Sequence, residues 1–160
     1  MGKQLIVGVA DMKVSNDPTT TIVTFSLGSC LAVCVYDPAV RVAGLLHIML
    51  PDSALDPAKA QINPFMFADT GIPLLFKEAY RLGAMKTRME VRLAGASQIM
   101  DNSGVFNIGK RNYLAGRKIL WKNNVMVKAE DVGGNIHRTV RLDVATGQIT
   151  LKLPGEERPL

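Results

Sequence analysis

The stretch Thr21-Ile22-Val23-Thr24-Phe25-Ser26-Leu27-Gly28-Ser29-Cys30-Leu31-Ala32-Val33-Cys34-Val35-Tyr36 decides the class of fold. Its first five residues are rich in β-branched side chains, which suit a pleated strand. Ser26-Leu27-Gly28-Ser29 interrupts that run. Leu31 to Tyr36 then forms an almost continuous apolar segment, the pattern of a strand covered on both faces. Asp37-Pro38 ends it, and Val42 to Leu50 supplies a partner strand. The pair predicts a hairpin, closed off by Pro51-Asp52-Ser53.

Upstream, Gln4–Ala10 predicts a first strand and Ser15-Asn16-Asp17-Pro18 a turn. Downstream, Asn63 is a helix N-cap with Pro64 at the first helical position. That helix should run to about Leu82 and stop at Gly83, kinked or split where Gly71 and Pro73 fall. Arg88–Ala94 predicts a strand. Asn107 can cap a second helix, Ile108 to Lys122, ended by Asn123-Asn124. Val125–Ala129, Thr139–Val144 and Gln148–Leu153 complete the strands, with turns at Gly133-Gly134 and Thr146-Gly147. Many strands and two main helices, without βαβ alternation, predict an α+β fold: a layered α/β/β domain with mostly antiparallel sheets. No repeat, low-complexity tract or long linker divides the 160 residues, so residues 1–160 are expected to form a single domain.

Composition narrows the setting. Hydrophobic residues make up 48% of the chain and charged ones 21%, enough apolar material for a packed core. The N-terminal apolar run is too short for a signal peptide, and Ile6 stands where a myristoylation motif needs Ser or Thr. No segment approaches the roughly 18 apolar residues of a membrane span, so no membrane insertion and a cytoplasmic location are expected. Cys30 and Cys34 on one strand would sit about 13 Å apart, too far for a disulfide. With two scattered histidines they are also a poor metal site, and no cofactor is expected. The net charge of +5 favours an acidic partner. Much of it lies in Lys110, Arg111, Arg117, Lys118 and Lys122 of the second helix, as a solvated face or a surface that steers acidic protein. A single Trp and the absence of any nucleic-acid-binding motif argue against nucleic acid.

Cys30 follows a small Gly28-Ser29 step at the mouth of the buried strand. Gly28 permits close approach of a substrate, and free N–H groups in such a turn can stabilise an oxyanion. A thiol there is a nucleophile if a base takes its proton. His47, the only titratable group in Leu45–Leu50, is the candidate base on the neighbouring strand. Thr24 can orient the imidazole through its hydroxyl, the role more often taken by Asp or Asn. The plainer alternative stays open at this point: a cysteine in apolar surroundings is commonly a small core residue, and a lone histidine a structural one. Core packing accounts for Cys34, and His137 beside Gly133-Gly134-Asn135 suits a turn or surface position.

Leu27-Gly28-Ser29-Cys30 and His47-Ile48-Met49-Leu50-Pro51 resemble the signature of the CheD family, the chemoreceptor glutamine deamidases. Asn107-Ile108-Gly109-Lys110-Arg111-Asn112, Asp131-Val132-Gly133-Gly134, Arg138 and the Thr146-Gly147 turn extend the resemblance over most of the chain, in the family's order. It implies a catalytic Cys30, His47 and Thr24 with Gly28 and Ser29 at the oxyanion turn. It also implies an α/β/β fold related to deamidating bacterial toxins, and conversion of glutamines on chemoreceptor cytoplasmic helices to glutamates with release of ammonia. Many members also bind CheC, a phosphatase, so a non-catalytic or dual-role CheC partner is the alternative function. The chain departs from the family pattern at Ala94-Gly95-Ala96-Ser97, usually a Gly-Gly-Ala turn, and at His137, usually a small residue.

Overall fold

The computed structural model describes residues 2–98 and 107–160. Among them, one five-stranded sheet orders β1 (Lys3–Ile6), β3 (Thr20–Leu27), β8 (Arg138–Asp143), β9 (Ile149–Leu153) and β10 (Glu156–Pro159). The other orders β2 (Asp11–Ser15), β5 (Val42–Ile48), β4 (Leu31–Asp37), β6 (Glu90–Gly95) and β7 (Val127–Val132). The β1–β3 and β6–β7 pairs are parallel and the rest antiparallel. Helices α1 (Pro57–Ile62), α2 (Ala68–Arg81) and α3 (Ile108–Lys122) complete the main elements. No helix among the described residues is long and apolar enough to cross a membrane.

The predicted central hairpin explains the layering. β4 lies in the middle of its sheet, and all seven of its residues are buried. Because side chains alternate along a strand, Leu31, Val33 and Val35 join Leu46 and Ile48 of β5 against Ile72, Leu75 and Ala79 of α2 and Leu120 of α3. Ala32, Cys34 and Tyr36 turn the other way, with Ala43 and Leu45, onto Ile22, Val140, Leu142 and Leu151 of the first sheet. The order is therefore helix, sheet, sheet, the expected α/β/β arrangement. His47, two residues beyond Leu45 on β5, faces the layer between the sheets.

Several expected boundaries move. The apolar run Gln4–Ala10 is not one strand: β1 ends at Ile6, Ala10 takes a left-handed φ of 57°, and the chain crosses to the other sheet as β2. Its alternation does not show a switch of sheets. The segment Ser26-Leu27 does not end β3, which continues through a bulge between Thr24 and Leu27 with Ser26 at φ 53°. Val42–Leu50 ends as a strand at Ile48, and β6 and β7 lie slightly downstream of their expected spans, at Glu90–Gly95 and Val127–Val132. The helix expected from Asn63 is split, as a 3-10 turn at Pro64–Met66 and then α2, which keeps Pro73 inside it. Asn63 caps the 3-10 turn by accepting from the Phe65 N–H at 3.1 Å. Asn107 precedes α3 as expected, but its side chain makes no cap hydrogen bond. The short α1 and the polar edge strand β10 were not expected.

Candidate active site

Thr24 and His47 come from different sheets and meet between them. Thr24 is fully buried, on the inward face of β3 at the start of its bulge, and His47 is 2% exposed. The Thr24 Oγ1 lies 2.7 Å from His47 Nδ1 and also donates to the Val7 carbonyl at 2.8 Å. A hydroxyl has one proton. With that proton on the Val7 carbonyl, Oγ1 is left as an acceptor, so Nδ1 carries the imidazole hydrogen. The Nε2 nitrogen is then the unprotonated one, and it is buried with no hydrogen-bond partner among the described residues. Burial pushes the imidazole down to about 4, opposed in part by the carboxylate of Asp11. Asp11 sits opposite His47 in the β2–β5 ladder. Although burial works against its charge, hydrogen bonds from Lys13 and the Met12 and Gly8 amides hold Asp11 below the usual carboxylate range.

Cys30 is half-buried, immediately before β4, and packs against the inter-sheet cluster. Ala32 is paired with His47 in the β4–β5 ladder, so Cys30, two residues earlier, lies diagonally across from His47 on the same side of the sheet. The thiol and His47 make no hydrogen bond in this structure. Burial also raises the Cys30 pKa above its ordinary value. Burial thus disfavours the charged form of both the thiol and the imidazole. Cys34 is buried in the core with its thiol pushed up to about 12, as a packing residue should be. His137 is exposed beside the Gly133-Gly134 turn.

The backbone around the thiol is anchored from one side. The Gly28 carbonyl accepts from the Ser97 N–H at 2.9 Å, Ser29 from Asn112 Nδ2 at 2.9 Å, and Cys30 from the Ala96 N–H at 2.8 Å. In a trans peptide the N–H points opposite its carbonyl. The Ser29 and Cys30 amides are therefore turned away from these anchors, and neither donates to an acceptor among the described residues. Gly95 permits this approach: a Cβ there would stand 2.4 Å from the Cys30 carbonyl oxygen, and its φ is +105°.

A buried arginine braces the same segment. Arg138 donates to Asp131 at 2.8 Å, to the Gly95 carbonyl at 3.1 Å, to Ser97 Oγ at 2.8 Å and to the Gly133 carbonyl at 2.9 Å. The pairing with Asp131 compensates its buried charge. Among the basic residues of α3, Arg117 is paired with Glu130 at 3.4 Å, and the neighbouring Trp121 is 78% exposed. Sequence reasoning missed Ser97 and Gly95 as parts of the site, and it noted Asn112 and Arg138 only within a family pattern. The hydrogen bonds that give them their roles join residues far apart in the chain.

The fold and the site together define a layered α+β domain that gathers a threonine, a histidine and a cysteine at one end of its facing sheets. The chain belongs to the CheD family. The model of that family, described as CheD chemotactic sensory transduction, matches residues 49–153. The match begins just beyond His47, but similarity to relatives extends over nearly the whole chain. A protein of Syntrophus aciditrophicus named probable chemoreceptor glutamine deamidase CheD 1 is 53% identical over 151 residues, 94% of each chain. One of Solibacter usitatus, named probable chemoreceptor glutamine deamidase CheD, is 48% identical over 99% of this chain and 94% of its own. A relative from Syntrophotalea carbinolica with the same name is 46% identical, over 94% of each chain.

Proposed function

We propose that this protein deamidates glutamine side chains on the cytoplasmic helices of chemoreceptors, with Cys30 as nucleophile, His47 as base and Thr24 orienting the imidazole. The observation that carries the proposal is the Thr24–His47 hydrogen bond, which leaves the Nε2 lone pair free on the side of the sheet that Cys30 shares. The names of the relatives supply the substrate class.

His47 Nε2 takes the thiol proton as Cys30 Sγ attacks the carboxamide carbon. Neither group is charged at rest, so proton transfer accompanies attack, and the hydrogen bond absent from the free protein forms as substrate closes the site. The N–H groups of Ser29 and Cys30, beside Gly28, stabilise the oxyanion. The imidazolium keeps its Nδ1–H on Thr24 and is favoured by the nearby Asp11 carboxylate. It protonates the departing nitrogen, which leaves as ammonia. Water, deprotonated by His47, then attacks the thioester, releases glutamate and restores the thiol. These steps need neither a metal nor an organic cofactor.

Hydroxylamine tests the thioester. Added to a reaction on a receptor fragment, it should divert product to the glutamyl hydroxamate, detected by mass, with a matching loss of glutamate. Absence of hydroxamate at concentrations that compete with water would contradict a thioester on Cys30.

A further inference from the structure

Asn112 on α3 is fully buried, yet it is an amide rather than an apolar residue of similar size. Its Nδ2 donates to the Ser29 carbonyl at 2.9 Å and to the Met49 carbonyl at 3.1 Å. Both partners are acceptors, so the nitrogen must face them and the orientation of the amide is determined. The two carbonyls belong to the two strand ends that make the site: Ser29 precedes Cys30, and Met49 lies two residues beyond His47. The remaining atom, Oδ1, is buried and has no partner among the described residues. Burying an acceptor unpaired carries a desolvation penalty that an apolar side chain would avoid. A residue serving packing alone has no use for such an arrangement.

The Ser29 carbonyl shares its peptide plane with the Cys30 N–H. Holding the carbonyl from α3 therefore aims that N–H the opposite way, and donation to the oxygen polarises the same peptide. We infer that Asn112 is a positioning residue that orients the Cys30 amide as an oxyanion donor, using Met49 at the end of the base strand as its second anchor. The inference rests on Cys30 being the nucleophile. Asn112 touches no reacting atom and acts through the peptide it grips.

The test uses full-length protein and a receptor fragment. Asn112→Leu removes both donors, and Asn112→Asp keeps the shape but replaces the donor amide with a carboxyl. Either folded variant should lose roughly tenfold to a hundredfold in kcat with KM within about threefold, since a misaligned oxyanion donor weakens only the transition state. Alkylation of Cys30 by iodoacetamide is a displacement at carbon with no oxyanion, so its rate should stay within about threefold of wild type. Circular dichroism identifies the folded variant, and the isosteric Asp keeps the test open if Leu does not fold. A folded variant whose kcat stays within threefold of wild type overturns the inference, as does an alkylation rate that falls in step with kcat. Cys30→Ala run alongside separates the two levels. If it retains turnover, the nucleophile reading falls and takes this inference with it. If it is inactive while the Asn112 variants keep full kcat, only the role of Asn112 falls.

Discussion

Thr24 and His47 are held 2.7 Å apart by a hydroxyl whose own proton is committed to the Val7 carbonyl. One backbone acceptor thus decides which imidazole nitrogen is left unprotonated. An orienting carboxylate would reach the same tautomer with a full charge. Here a neutral hydroxyl does it, and the charge that favours the imidazolium comes from Asp11 on the next strand.

Thr24→Val keeps the shape of the residue but removes the hydroxyl. The Nδ1–H and the Val7 carbonyl then lose their partner in a buried place, at about 1–3 kcal/mol each. We expect kcat to fall roughly a hundredfold as the base loses its orientation. Thr24→Ser, which restores the hydroxyl, should recover activity to within a few-fold. Steady-state deamidation of a receptor fragment checks both, and equal loss in the Val and Ser variants would contradict the role of the hydroxyl.

Burial that disfavours both charged forms implies a distinctive pH profile. The kcat/KM should rise with pH as His47 loses its proton near pH 4, rather than near the pH 6.5 of an ordinary histidine. It should then stay level through neutrality, because burial keeps the Cys30 thiol protonated beyond its ordinary range. An acid limb near pH 6.5 would contradict a desolvated base.

The same depression of His47 links stability to pH. The unfolded chain binds the proton more readily than the folded one between about 6.5 and about 4. Stability from keeping His47 neutral is therefore complete above pH 6.5 and is lost as pH falls toward 4, by about 3 kcal/mol in all. His47→Asn can still donate to Thr24 but does not titrate. Urea unfolding at pH 7.5 and 4.5 should show a smaller acid loss in the variant than in wild type.

Gly95 and Gly134 offer a paired test of the backbone around Cys30. Both have positive φ, +105° and +74°, but a Cβ at Gly95 meets the Cys30 carbonyl oxygen at 2.4 Å while one at Gly134 meets nothing within 4 Å. Gly134→Ala should cost only the backbone strain, on the order of 1 kcal/mol, and leave kcat unchanged. Gly95→Ala adds displacement of Cys30 and should lower both Tm and kcat, the latter about tenfold or more. Thermal melts and kinetics on the two variants decide this.

Much of the frame was legible in local pattern. The continuous apolar run of β4 announced a central strand, and the layering of the core follows from its alternation. Cys30 could be picked out by its Gly28-Ser29 approach, and His47 as the one titratable group in an apolar strand. What stayed hidden depends on distant partners. The crossing at Ala10 sits inside a run that looks like one strand. The segment Glu156–Pro159 is too polar to read as a strand and becomes one only by pairing with β9. The Val7 acceptor is a main-chain oxygen with no side-chain signal. Asn112 and Ser97 acquire their roles from hydrogen bonds to Ser29 and Gly28, on the far side of the fold in sequence. Asp56-Pro57, by contrast, was a readable cap for α1: Asp56 accepts from the Lys59 N–H at 3.1 Å with proline at the first turn.

The central claim is that Cys30 carries deamidation, and the most direct measurement compares wild type with Cys30→Ala on one receptor fragment. Ammonia release and the mass of the fragment are followed together. Wild type should release one ammonia for each glutamine converted to glutamate, and Cys30→Ala should release none above the uncatalysed background while keeping the wild-type fold by circular dichroism. Turnover by Cys30→Ala at a rate near that of wild type would contradict the claim outright.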